Sequence, residues 1–343
     1  MRERDQLDLF GAPGAEAPAE YPPHLRALSA ALPTGIRLGT SSWTFPGWKG
    51  IVYRRRYRSQ KQFLHESLAE YGRYPLFRTV GIDRSYYAPV AEEDFDHYRR
   101  QLPDGFECIG KVWSELTMRR FPNHPRYGDR AGLPNPEFLD SKVFERQVAD
   151  PWLRGLRDRA GPLVVEVAPA PGPAESEAFV DRLDAFLGAA SKHLKISVEL
   201  REPGLLTEDY FAVLRSHRAT HVFNHWGRMP TIGEQLELPG ALVGPFVVAR
   251  LLIPPGRDYE DQKVAFAPFD RIADPQPRMR REAVALMDVA VKSDYPIYMT
   301  VSNKVEGCSP RTVEALAEAY LSHHPAGESV RRVPSEDPDE IAR

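Results

Sequence analysis

Short runs rich in β-branched and aromatic residues recur eight times along this chain, with stretches of helical period between most of them. The runs are IRLGTSSW (36–43), LFRTVGID (76–83), FECIGKVW (106–113), LVVEVAP (163–169), KISVELR (195–201), THVFNHW (220–226), FVVARLL (246–252) and PIYMTVSN (296–303). In SQKQFLHESLAEYG, Phe63, Leu64, Leu68 and Tyr71 fall on one helical stripe; Phe179, Leu183, Phe186 and Leu187 do so in AESEAFVDRLDAFLGAA. A strand pairs parallel to its successor only through a crossover, usually a helix. Eight such units predict an α/β fold of the (β/α)8 TIM-barrel type. The competing arrangement is an open doubly wound sheet. It requires a Gly-rich nucleotide turn after the first strand, and GTSSWTFPGWKG is not GxGxxG.

The 343 residues suit one barrel with extended loops, expected over 35–321. Residues 1–34 read as a flexible tail and linker, because 11–24 hold little besides Gly, Ala, Pro and Glu. Residues 322–343 turn polar and acidic and read as a second loose tail. No apolar run is long enough to span a membrane, and the N-terminus lacks the apolar core of a signal peptide. Cys108 and Cys308 form no CxxC pair. A net charge of −3 gives no general attraction to nucleic acid or membrane, which leaves only local patches. A cytoplasmic protein is expected. P-loop, HExxH and nucleophile-elbow motifs are absent from the sequence, so no motif names a cofactor or a metal.

In a TIM barrel the C-terminal strand ends and the loops after them build the site. Strand alternation sorts the side chains. If Ile196, Val198 and Leu200 face the helices, then Ser197, Glu199 and Arg201 face inward. By the same parity Glu166, Lys111, Trp113 and Arg250 face inward, with Asp83, Tyr86, Tyr87, Trp43, Asn303, Lys304 and Glu306 at or just past strand ends. Glu199, Glu166, Lys111 and Asp83 are the candidate catalytic residues, the two glutamates as an acid–base pair on neighbouring strands. Trp43, Trp48, Tyr86, Tyr87, Arg201, Arg250, Asn303 and Lys304 are the candidate substrate contacts. The competing reading is a buried ion-pair network, because inward charges must pair. HVFNH places His221 and His225 four residues apart, but on a strand that is about 13 Å, too far to share a metal ion. His225 alone retains a possible role as ligand or base.

The strand ends form a recognisable series. GTSSWTFPGWKGIVY, TVGIDRSYYAPV, GFECIGKVW, VELREPGLL and VSNKVEGCSPRTVEAL occur in the order found in the YecE-like family (domain of unknown function 72). The chain resembles that family over about residues 36–321. The resemblance implies a TIM barrel with a polar cavity at its mouth, and no particular activity. The positions it carries over are Trp43, Trp48, Tyr87, Lys111, Glu199, Arg201 and Asn303. This chain departs from the family pattern at Gly81-Ile82-Asp83, where Glu-Ile-Asn is usual, at Glu202, where His is usual, and at Lys304, where a second Asn is usual.

Near the start, QLDLF (Gln6, Leu7, Asp8, Leu9 and Phe10) resembles the pentapeptide with which bacterial DNA polymerases and repair proteins bind the replication sliding clamp. Such a peptide belongs on a flexible terminus. The linker to Gly35 would span about 27 Å as a coil. The alternative is that the tail folds back over an apolar patch. Arg54, Arg55, Arg56, Arg58 and Lys61, interleaved with Tyr53 and Tyr57, are expected on the mouth side, either contacting phosphates or forming a solvated loop. Together these features predict a clamp-tethered barrel acting on a phosphate-containing or nucleic-acid substrate, in the manner of a hydrolase or phosphodiesterase. The competing readings are a non-catalytic clamp-associated binding module and a carbohydrate or small-molecule enzyme.

Overall fold

The structure is a computed structural model that describes residues 20–169, 176–190 and 192–324. Gln6–Phe10 and most of the acidic C-terminal tail lie outside the described residues. The strands are β1 Ile36–Thr40, β2 Thr79–Ile82, β3 Glu107–Lys111, β4 Ala160–Val167, β5 Ile196–Leu200, β6 Thr220–His225, β7 Val247–Leu251 and β8 Ile297–Val301. They close in sequence order, β1 to β8, and each neighbouring pair is parallel. The expected (β/α)8 TIM barrel is the fold.

Two apolar layers follow from strand parity. Ile196, Val198 and Leu200 join the large core between barrel and helices. Ile109, Val164, Val222, Phe246, Val248 and Tyr298 form a separate cluster from the other strand faces, filling the barrel interior. Below it, at the N-terminal ends, Glu107 meets Arg37 (3.0 Å), Lys195 (2.5 Å) and the Tyr298 hydroxyl (2.7 Å).

The helix Gln60–Tyr71 starts where Ser59 accepts a hydrogen bond from the Gln62 N–H, and it buries Phe63, Leu68 and Tyr71. Leu64, on the same expected stripe, stays 46% exposed. The helix Ser176–Ala189 buries Phe179, Leu183, Phe186 and Leu187 as its periodicity predicts. After β6 there is only the short helix Ile232–Leu236, fixed by a reciprocal Thr231–Glu234 capping box.

Two expectations are corrected. The first concerns residues 1–34. Pro23–Ala31 is a helix, started by Pro23 at its first position and burying Leu25. His24 meets Glu314 at 2.8 Å on the last helix, Ser309–His323, so the folded unit begins well before residue 35. The second concerns the basic segment 52–61. Its position is set by Glu70, a buried carboxylate in the last turn of Gln60–Tyr71, which accepts hydrogen bonds from the Arg54 N–H (2.5 Å), the Arg55 N–H (3.0 Å) and the Tyr57 hydroxyl (2.9 Å). That helix end leads down to the start of β2, so Arg54 and Arg55 lie on the barrel's flank and not at its mouth. Tyr53 and Tyr57 are fully buried, because their rings pack edge-on against Phe63.

Leu25→Ala is expected to cost about 2–5 kcal/mol, as for other enclosed leucines. Urea denaturation measures this, and a change near zero would mean that the first helix does not belong to the folded unit.

Candidate functional site

At the C-terminal end of the barrel, charged side chains from β2 to β5 and β7 meet. Glu166 and Glu199 are paired neighbours in the β4–β5 register. Lys111 Nζ lies 3.1 Å from Asp83 and 3.3 Å from Glu166. Arg201 Nη2 reaches Glu166 at 3.1 Å and Glu199 at 2.8 Å. Arg250 Nη1 bridges the same two carboxylates, at 2.8 Å from Glu166. Asn224 Nδ2 also donates to Glu199, at 3.3 Å. Three carboxylates thus face three cations and the cluster is neutral. Glu199 is completely enclosed, whereas the Asp83 side chain is 38% exposed.

The cations set the protonation of this cluster. Burial pushes the Glu166 carboxyl up, but Arg201, Lys111 and Arg250 together hold it well below the usual carboxylate range. Burial likewise opposes the charge on Arg250, and Glu199 and Glu166 more than offset it. Glu166 is therefore an ionised acceptor throughout the neutral pH range.

Aromatic rings flank the cluster. Lys111 Nζ sits 3.9 Å from the centroid of Tyr86, and the Arg201 guanidinium lies 4.5 Å from Trp226. Tyr87 packs edge-on against Tyr86 and is 67% exposed. Tyr86 and Tyr87 also border a cleft of about 610 Å³ formed with the segment after β3 and with Ala168 and Pro169 after β4. Several buried polar atoms on the segments at these strand ends have no hydrogen-bond partner: Ser41 Oγ, Trp43 Nε1, Arg201 Nε, Asn224 Oδ1 and Asn303 Nδ2. Among the described residues, no group of three or more His, Cys, Asp or Glu side chains is arranged to hold a metal ion.

Not every expected contact residue faces the mouth. Trp48 is fully buried, stacked near Tyr53, with its indole N–H 3.1 Å from Asn303 Oδ1. Asn303 is 1% exposed and its Oδ1 also accepts from Ser309, so it ties two loops together. Trp43 packs edge-on against Tyr98 and is 4% exposed. These three belong to the packing beneath the rim. Lys304 lies over the Tyr259 ring at 4.1 Å, on the segment after β7. Glu306, also fully buried, accepts from the Gln276 N–H (2.6 Å) and twice from Arg280 (2.8 Å each), which fastens that segment in place.

The two histidines of HVFNH share the helix-facing side of β6. His221 meets the Tyr210 hydroxyl at 3.0 Å and Gln235 Oε1 at 3.1 Å. His225 has no hydrogen-bond partner on either ring nitrogen, and burial pushes its imidazole down to about 4, so it is neutral at pH 7. The departure from the family pattern at Gly81 has a steric counterpart. A Cβ there would stand 2.4 Å from the Ser41 carbonyl oxygen, so restoring a glutamate would require the β1 segment to move.

Residues 37–337 match the family described as Protein of unknown function DUF72. The chain is similar to a DUF72 family protein of Thermotoga maritima MSB8, solved at 2.20 Å, with 17% identity and a TM-score of 0.53 over 84% of this chain and 98% of that one. It is also similar to a DUF72 family protein of Enterococcus faecalis V583, solved at 3.10 Å, with 15% identity and a TM-score of 0.55 over 84% of this chain and 95% of that one. At these identities the likeness concerns the fold. No curated protein matches.

Glu166→Gln is expected to destabilise the protein by about 3–5 kcal/mol at pH 7, because it leaves buried cations uncompensated. The folded-state carboxyl is depressed, so the wild-type advantage is present above the unfolded value of about 4.3 and is lost as pH falls through the folded value. Urea titrations across that range check both the size of the gap and the direction of its closure.

Proposed function

The chain belongs to the DUF72 family, and from its site we propose that the barrel mouth binds a phosphate-bearing ligand while Gln6–Phe10 tethers the protein to the DNA sliding clamp. The observation that carries the first half is the convergence of Lys111, Arg201 and Arg250 at one end of the barrel, aligned by the enclosed Glu199 and the partly buried Glu166. Within the cluster Arg201 Nε, a donor only, has no hydrogen-bond partner, which favours a ligand that brings an acceptor. Asp83 is the half-exposed member of the cluster and bonds Lys111, so it is the carboxylate that an incoming oxyanion displaces.

Glu199 is completely enclosed and out of a ligand's reach, and Glu166 is held well below the usual carboxylate range, so it is a poor base and no acid at neutral pH; both are assigned to aligning the cations. Binding without turnover is therefore the form of the proposal that the site supports best. Hydrolysis of a phosphate ester would draw on Asp83, the accessible carboxylate. The clamp half rests on the QLDLF peptide and the Gly, Ala, Pro and Glu composition of the residues after it.

Two measurements test the halves separately. Ribose 5-phosphate, titrated by calorimetry, is expected to bind the wild type and to lose about 10–100-fold in affinity with Lys111→Gln, the usual worth of one charged hydrogen bond. No binding to the wild type would remove the anion reading. Purified sliding clamp is expected to bind the intact chain and to release it with Leu9→Ala/Phe10→Ala. Equal binding by both, or by neither, would remove the tail reading and leave the mouth untouched.

A further inference from the structure

The cleft beside the ion cluster is built differently from the cluster. Its floor is a small apolar group on the segment after β3, Met118, Phe121 and Tyr127, separate from the two main cores. Its rim carries exposed Arg120 and Arg126, the latter with its guanidinium 4.5 Å from the Tyr127 centroid. The opposite wall is Tyr86 and Tyr87. Tyr86 is shared with the cluster, because the Lys111 ammonium rests 3.9 Å from its centroid.

Packing does not account for Tyr87. Among the described residues it is the most exposed aromatic of the large hydrophobic side chains that face solvent, at 67%, and it stands at the junction of an aromatic cleft and a cationic centre. A ring in T-shaped contact with its neighbour and two-thirds exposed offers a stacking surface at little entropic cost. The cleft volume of about 610 Å³ falls within the range of small-molecule sites, roughly 300–1,000 Å³. An inorganic anion or a simple sugar phosphate would leave these rings unused. A ligand with a planar ring at one end and an oxyanion at the other would use both parts of the site.

We infer that this cleft takes the base of a nucleotide, stacked on Tyr87, while the phosphate lies toward Lys111. The inference rests on the reading of the mouth as an anion site and names its substrate class. The nucleotide is either free or the end of a single strand, since both present the same base and phosphate. Arg120 and Arg126 stand where the backbone of a longer strand would leave the cleft.

The test compares AMP, ribose 5-phosphate and a single-stranded hexanucleotide on the full chain, in wild type and Tyr87→Ala. Removal of an exposed side chain leaves the core intact, and circular dichroism verifies this. AMP is expected to bind the wild type about fivefold or more tighter than ribose 5-phosphate, and Tyr87→Ala is expected to bring that ratio toward one. A hexanucleotide tighter than AMP identifies a strand as the source, and a weaker one identifies the free nucleotide; either outcome supports the base site. A wild-type ratio near one, or a ratio that Tyr87→Ala does not move, overturns this inference and leaves the anion reading standing. Failure of all three ligands to bind overturns both.

Discussion

Glu166 and Glu199 stand side by side in the β4–β5 register and share Arg201 and Arg250, and the upper barrel is organised around that arrangement. Two like charges on adjacent strands inside a barrel are tolerable only if cations lie within hydrogen-bond reach. Those cations come from β5 and β7, with Lys111 added from β3. The four strands must therefore hold their register together, since a slip of one residue on any of them would turn its charge to the apolar outer face. Below this level Ile109, Val164, Val222 and Val248 fill the interior, and below that Glu107 collects Arg37 and Lys195. The interior is thus an apolar layer between two ionic ones, which explains why a chain with so many inward charges closes into a compact barrel.

The same economy of buried carboxylates shapes the periphery. Glu70 pins the segment 52–57 through two backbone N–H groups and the Tyr57 hydroxyl, and Glu306 pins the approach to the helix Pro277–Lys292 through Gln276 and Arg280. Each anchors a connection that would otherwise be loose across the outside or the rim of the barrel. The accessible chemistry that remains is concentrated in a few groups: Asp83, Lys111, Tyr86, Tyr87 and the arginines of the segment after β3. That concentration lies at the mouth and not on the flank.

Strand number, strand order and inward parity were legible from the sequence, because the period of two in KISVELR and LVVEVAP forces Glu199 and Glu166 to the same side. The partners of those charges were legible only as a set. Spacing along one strand does not say which guanidinium bridges which carboxylate, and the double bridging by Arg201 and Arg250 depends on the stagger between β5 and β7. The burial of Trp43, Trp48 and Asn303 is not legible in the letters, because a residue beyond a strand end can turn outward or fold under, and the choice belongs to contacts more than 200 residues away in the case of Trp48 and Asn303. The arginine-rich segment misled for a similar reason: its charges advertise solvent, but its position is dictated by the buried Glu70. The first helix was hidden by composition, since Pro22, Pro23 and several alanines read as linker until Leu25 finds its pocket.

Sequence alone determined that the chain is a barrel and that charges would gather at one of its ends, because both follow from periodicities that act over a few residues. It also carried the QLDLF peptide, whose pattern needs no fold to be read. Only the tertiary structure decided which charges are spent on one another and which remain available, because that depends on distances of about 3 Å between strands far apart in the chain. A carboxylate between two guanidinium groups and a carboxylate half-open to solvent look identical as letters, and their difference in chemistry arises from burial and neighbours.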